Sequence, residues 1–110
     1  MKKRFSAQEL HELRNLIPIN TVIKELLLVP TKISEGCFRF LCPQCNEFQT
    51  STSSSTNLAR CYLCGKNFNP IDMVMTVKAS QFHDSATYLQ EVLNRSRGIN
   101  TMLADINEKA

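Results

Sequence analysis

The chain has 110 residues, of which 43% are hydrophobic and 21% charged, a length that fits one domain and excludes a second core. Its longest apolar run, Leu26 to Val29, is far short of the about 20 residues of a membrane-spanning helix or the about 7–15 of a secretory signal, so a cytoplasmic protein with no membrane partner is expected. The formal charge of +3 is small, and any case for nucleic acid must rest on where the cations lie.

The basic start, Lys2, Lys3 and Arg4, leads into no apolar segment and reads as a solvated end. Ser6 and Glu9 then form an S-x-x-E capping box, and Leu10, Leu13, Leu16 and Ile17 recur at helical spacing before Pro18, which predicts a helix over 6–17. Asn20 is placed to cap a second short helix whose stripe is Val22, Ile23, Leu26 and Leu27, ending before Pro30. From Val29 to Leu41 the period shifts to two, with Glu35-Gly36 as the turn of a β-hairpin. On its second strand Phe38 and Phe40 share one face, while Cys37, Arg39 and Leu41 share the other. Cys37 lies outside any ligand spacing and is expected to be a small buried hydrophobe.

Thr50 to Asn57 is entirely Ser, Thr and Asn. It reads as a solvated loop, or as a hairpin exposed on both faces, and Leu58 to Arg60 as a short strand leaving it.

Cys42 and Cys45 precede this stretch and Cys61 and Cys64 follow it: two C-x2-C pairs separated by fifteen residues. Each pair can aim both sulfurs at one ion, and the overall spacing is that of a four-cysteine zinc site, with one structural Zn2+ held tetrahedrally at about 2.3 Å per sulfur. Pro43 and Gly65 stand at turn positions. Disulfides would be reduced in the cytosol, and a dithiol redox site needs one such pair in a βαβ setting that this chain lacks. Four thiolates around a divalent ion would lower the formal charge by two, to +1. A shell filled by four sulfurs leaves no position for water or substrate, so hydrolytic zinc chemistry and a small-molecule substrate are not expected, and His11 and His83 are not needed as ligands.

Beyond the zinc pairs the helical period returns. Asn69 and Pro70 form an N-cap and first-turn pair for a helix from 70 to about 79, with Ile71, Val74, Met75 and Lys78 along one side. A further helix is predicted from about His83 to Ser96, with Ala86, Leu89, Val92 and Leu93 inward and Gly98 as its stop. Ile99 to Ala110 reads as a weakly amphipathic tail through Met102, Leu103 and Ile106 that frays or docks on a partner. The expected architecture is α+β: one zinc-ribbon domain over 1–98, a small antiparallel sheet braced by N- and C-terminal helices, followed by the tail at 99–110.

The order of short helix, hairpin, C-P-x-C-N-E at Cys42 to Glu47, C-x-x-C-G at Cys61 to Gly65, a P-I-D-M-V helix and an F-x-x-x-A-x-x-Y-L helix resembles the zinc-binding domain of bacterial and phage DNA primases, the CHC2 zinc finger. The resemblance covers about residues 18–94. It implies a zinc ribbon whose exposed face helps to select a single-stranded template. Three departures stand out. Cys45 occupies the place where the family usually has histidine, which preserves tetrahedral coordination. The Thr50 to Asn57 stretch lacks the aromatic and basic residues common there in the family. Asp72 lies eight residues after Cys64, farther than is usual in primases, as in compact stand-alone members. No clustered carboxylates of a primase catalytic domain follow, so the chain is not expected to be an enzyme on its own, although it could assist a primase in trans.

Two functions are consistent with these residues. In the first, the resemblance implies a non-catalytic accessory to DNA replication or a mobile element that binds single-stranded DNA, with a primase, helicase or other replication protein as partner. Lys32, Arg39, Arg60 and Lys66 would contact phosphates, and Tyr62 would stack on a base. In the second, the ribbon docks on a replication or regulatory protein without touching nucleic acid. A stripe of those cations beside exposed aromatics favours the first, and an apolar patch with scattered charge favours the second.

Overall fold

A computed structural model describes the backbone of residues 4–109 and the side chains of residues 4–96. Lys2 and Lys3 lie outside it, as do the side chains of the tail, including Met102, Leu103 and Ile106. The architecture of the described residues is α+β, as expected, with four helices and two small antiparallel sheets.

The first helix, α1 (Ala7–Asn15), begins with the reciprocal Ser6–Glu9 capping box and ends two residues earlier than the period suggested. Leu13 and Ile17 are buried, but Leu16, past the last turn, is 52% exposed. The next helix, α2 (Ile19–Thr21), continues as a π-helical turn over Val22–Leu26. Asn20 does not cap it. The first N–H of α2, that of Ile19, donates instead to Asn57 Oδ1 at 2.8 Å. The π turn closes through Leu27 N–H to the Val22 carbonyl and Val29 N–H to the Ile23 carbonyl, with Leu28 between them in the left-handed region at φ 54°.

Strands β1 (Thr31–Ser34) and β2 (Cys37–Phe40) pair in the register Thr31↔Phe40 to Ser34↔Cys37. Glu35 and Gly36 both have positive φ, the two-residue turn whose twist matches antiparallel strands. Phe40 is buried and Phe38 partly buried, whereas Ile33, cross-strand from Phe38, is 71% exposed. The tip of this hairpin therefore overhangs the core. Cys37, just past the turn, is exposed rather than buried for the same reason.

A second sheet has the order β3–β4–β5, with β3 Thr50–Ser53, β4 Leu58–Cys61 and β5 Asn67–Phe68. The polar stretch is thus a hairpin, but its two ends are anything but solvated. Thr50 is fully buried. Its Oγ1 accepts from the Phe40 N–H at 2.9 Å and donates to the Phe40 carbonyl at 2.6 Å, so one hydroxyl satisfies both main-chain groups of Phe40 and seats β3 beside β2. Asn57, 8% exposed and at φ 55°, accepts from Ile19 and donates through Nδ2 to the carbonyls of Arg14 and Ile17 at 2.6 and 2.9 Å. Polarity does not keep such residues out of a core when every polar atom is partnered, and here no buried side-chain nitrogen or oxygen among the described residues lacks a hydrogen bond.

Helix α3 (Pro70–Lys78) starts with Asn69 and Asp72 capping one another and ends at Ala79 in the left-handed region. Helix α4 (Phe82–Lys109) carries its backbone through Gly98; one glycine costs about 1 kcal/mol relative to alanine in a helix and does not by itself end one. Ala86, Leu89 and Leu93 of α4 meet Ile71, Met73 and Val74 of α3, Leu13 of α1, Val22 and Ile23 of the π turn, and Phe40, Ala59 and Phe68 of the strands in a single core. No helix among the described residues is long and apolar enough to cross a membrane.

Candidate metal centre and sheet face

The two C-x2-C segments adopt the same hydrogen-bonded circuit. In the first, Asn46 N–H donates to the Cys42 carbonyl and Cys42 N–H to the Glu47 carbonyl; in the second, Gly65 N–H donates to the Cys61 carbonyl and Cys61 N–H to the Lys66 carbonyl. Asn46 and Gly65 occupy equivalent left-handed positions at φ 59° and 73°. The sequence marks Gly65 as a turn residue, and Asn46, the other residue type that tolerates this region, was its unread counterpart.

These circuits bring together all four expected sulfurs, which lie within 4.8 Å of one another. Cys42 and Cys64 are 3.8 Å apart and Cys45 and Cys61 3.5 Å apart. A tetrahedron of sulfurs each about 2.3 Å from a central zinc has edges of about 3.8 Å, so the arrangement fits one Zn2+. The first cysteine of each pair, Cys42 and Cys61, is buried, while Cys45 is partly buried and Cys64 exposed. The inner sulfurs anchor the ion to the core, and the outer two close it against solvent.

The surroundings split the thiols. Burial pushes Cys42 up to about 12, and burial followed by its hydrogen bond with Cys61 raises Cys45. Burial also acts to raise Cys61, but hydrogen bonds from the Cys64 and Leu63 main chain and from the Cys45 and Cys64 side chains outweigh it and bring this thiol down to about 7. Cys61 is thus the readiest of the three to meet a metal as thiolate. With four sulfurs the shell offers fixed charge and geometry, the chemistry of a structural centre.

The five candidate contact residues fall on or beside the sheets. Alternation puts Phe40, Ala59, Cys61 and Phe68 inside, so Arg39, Arg60 and Asn67 take the outer side. Cross-strand partners share a side, which adds Lys32 opposite Arg39 and Ser51 opposite Arg60. Lys32 Nζ stands 4.6 Å from the centre of the Phe48 ring. Arg39 is only partly exposed, because its Nη1 donates to the Thr50 carbonyl at 2.6 Å. Arg60 donates to Asn67 Oδ1 at 3.0 Å and lies 5.5 Å from the centre of the Tyr62 ring. Tyr62, 60% exposed, shares a hydrogen bond with Ser51 at 2.8 Å. Lys66 is exposed, and its carbonyl serves the second knuckle. Phe48, Ser51 and Asn67 are neighbours of these candidates that the sequence does not single out; strand register reveals Ser51 and Asn67, and the contact with Lys32 reveals Phe48.

A family model described as CHC2 zinc finger matches residues 5–103. No curated protein matches the chain.

Proposed function

Because the chain belongs to the CHC2 zinc-finger family, that of DNA primase zinc-binding domains, we propose that it is a zinc-stabilised module that binds single-stranded DNA and serves replication or a mobile element as a non-catalytic accessory, alongside a primase, helicase or similar partner. The observation that carries this reading is Arg60 poised over the exposed Tyr62 ring on the outer side of the sheet. Proteins that hold single strands pair cations for phosphates with aromatic faces for bases. The strands support it in another way: their residues include Lys32, Arg39 and Arg60 but no aspartate or glutamate, so no carboxylate on them repels a phosphate.

The test is a salt titration of single-stranded DNA binding by the zinc-loaded chain and by a Lys32→Ala, Arg60→Ala double variant. Arg39 is left intact because it holds the Thr50 carbonyl. Loss of two phosphate contacts should weaken binding and flatten the plot of log affinity against log salt by about 1.4, at about 0.7 per contact on a single strand. A folded, zinc-loaded double variant with the affinity and slope of the parent would defeat the proposal.

Leu28 supports a second reading, docking on a protein. It is 78% exposed, conformationally strained, and borders a groove lined by Leu27, Val29, Pro30, Leu41 and Val77. A parent chain that does not bind DNA but co-purifies with a replication protein, and a folded, zinc-loaded Leu28→Asp variant that no longer does, would favour this reading.

A further inference from the structure

One bond at the base of the first hairpin fixes which main-chain groups of β1 face its partner. Leu41 N–H donates to the Pro30 carbonyl, and hydrogen-bonded and non-hydrogen-bonded pairs alternate along an antiparallel ladder. Lys32↔Arg39 and Ser34↔Cys37 are therefore the hydrogen-bonded pairs, and Thr31↔Phe40 and Ile33↔Phe38 are not. The main-chain groups of Phe40 accordingly point away from β1, and they are the ones that Thr50 Oγ1 satisfies. By the same alternation the N–H and C=O groups of Thr31 and Ile33 point away from β2. Among the described residues nothing meets them, since the sheet ends at β1 and no loop or cap bond reaches either residue.

The side chains of this edge sort by face. Ile33 lies on the side of Phe38 and Phe40 yet is exposed at the overhanging tip, while Lys32 lies on the other side, across from Arg39. No residue of β1 is acidic.

We infer that the free edge of β1 is a docking site for an extended segment of a partner protein, which adds an antiparallel strand carrying an acidic residue opposite Lys32 and β-branched apolar residues on either side of it. A row of outward donors and acceptors is matched by another strand. The added strand bonds main chain to main chain at Thr31 and Ile33, and Ile33 gains the apolar neighbour it lacks. Lys32 then falls at a non-hydrogen-bonded pair, where facing Cα atoms are only about 4.5 Å apart and opposite charges attract most closely. A second copy of this chain is a poor occupant for the same reason. In the antiparallel register that engages Thr31 and Ile33 of both copies, Lys32 faces Lys32, and like charges directly opposite destabilise a sheet. The lysine that keeps copies apart selects an acidic strand. The edge exists whether or not DNA meets the outer face, so this docking does not rest on the nucleic-acid reading.

Two capped heptapeptides, alike except for aspartate or lysine between two valines at their centre and flanked by threonines, test the edge against the zinc-loaded, isotope-labelled chain. The aspartate peptide should slow hydrogen exchange at the Thr31 and Ile33 amides and bind about three- to tenfold more tightly than the lysine peptide. Lys32→Glu should reverse that order. Ile33→Pro removes an N–H that β2 does not use, so the hairpin keeps its own ladder, and this variant should bind neither peptide. Should the proline unfold the hairpin, the Lys32→Glu reversal decides alone. Binding without protection of those two amides, equal affinity for the two peptides, or undiminished binding by a folded, zinc-loaded Ile33→Pro chain would overturn the proposal. So would failure of the aspartate peptide to bind at millimolar concentration. Protection of the same amides in the chain alone as its concentration rises would overturn it too, by giving the edge to a second copy.

Discussion

Asn57 does the work of a backbone segment with one amide group. Its side chain accepts from the Ile19 N–H and donates to the last carbonyls of the α1 corner, while its own backbone takes a left-handed turn that asparagine tolerates better than most residues. Replacing it with glycine keeps the turn but strands one donor and two acceptors. We expect a loss of about 2–4 kcal/mol in urea unfolding, since each buried group left unpaired costs about 1–3 kcal/mol unless water reaches it. A change under about 0.5 kcal/mol would show that water replaces the amide without penalty. Thr50 is the parallel case. Thr50→Ser keeps both bonds to Phe40 and should be tolerated, whereas Thr50→Val has nearly the same shape and should cost about 1–3 kcal/mol by orphaning the Phe40 N–H and carbonyl. Equal stability of the two variants would show that the hydroxyl is dispensable.

At the scale of elements, helix α3 ends on an alanine where glycine is the usual choice. Ala79 sits at φ 51° and bears the penalty of a side chain in the left-handed region, about 1–2 kcal/mol, which glycine lacks. Ala79→Gly should therefore raise stability by about 0.5–1 kcal/mol after its more flexible unfolded chain is counted, measured by thermal or urea melting. A lower melting temperature would show that the alanine methyl makes a contact worth more than the strain. The elements legible in the sequence are those specified by neighbours along the chain: the Ser6–Glu9 box, the Asn69-Pro70 helix start, the Glu35-Gly36 turn and the paired cysteines all act within a few residues. The illegible ones depend on partners far away. Thr50 and Asn57 read as solvated because their polar atoms find hydrogen bonds only across 10 to 43 positions. Strand β5 has just two residues and no alternation to display, and the π turn departs from a helical stripe that looked ordinary. The zinc centre was fully readable, since chemistry and spacing both lie in the motif. The rings that carry cations were half readable, with Tyr62 inside the second motif and Phe48 identified only by where Lys32 reaches.

For the whole molecule, the metal joins the two hairpins at their bases, and its removal should be felt throughout. A strong chelator should abolish the dispersed amide spectrum of the strands, and one equivalent of zinc should restore it, because binding free energy at a structural site is folding free energy. A chain that keeps its dispersed spectrum after complete metal removal would refute the structural role. The sign of the pH effect follows from the thiols. Zinc takes thiolates, while Cys42 is held up to about 12 and Cys45 is raised in the metal-free cluster, so loading at neutral pH expels protons, and affinity falls as pH falls. Calorimetric titrations in buffers of different ionisation enthalpy should show proton release; none would mean that the cluster is already ionised.

The Asn57 clamp also has a kinetic consequence. Its hydrogen bonds span 38 to 43 positions, and Asn57 is held in place only once the β3–β4 hairpin exists. The N-terminal helices consequently cannot lock their corner until the ribbon has formed, and docking of residues 7–26 is a late event in folding, slowed by the closure of a long loop. The Ile19 amide is its natural reporter: in a pulse-labelled refolding experiment it gains protection from exchange after the amides of β4, in step with the closing of the corner rather than with the winding of the helix it begins.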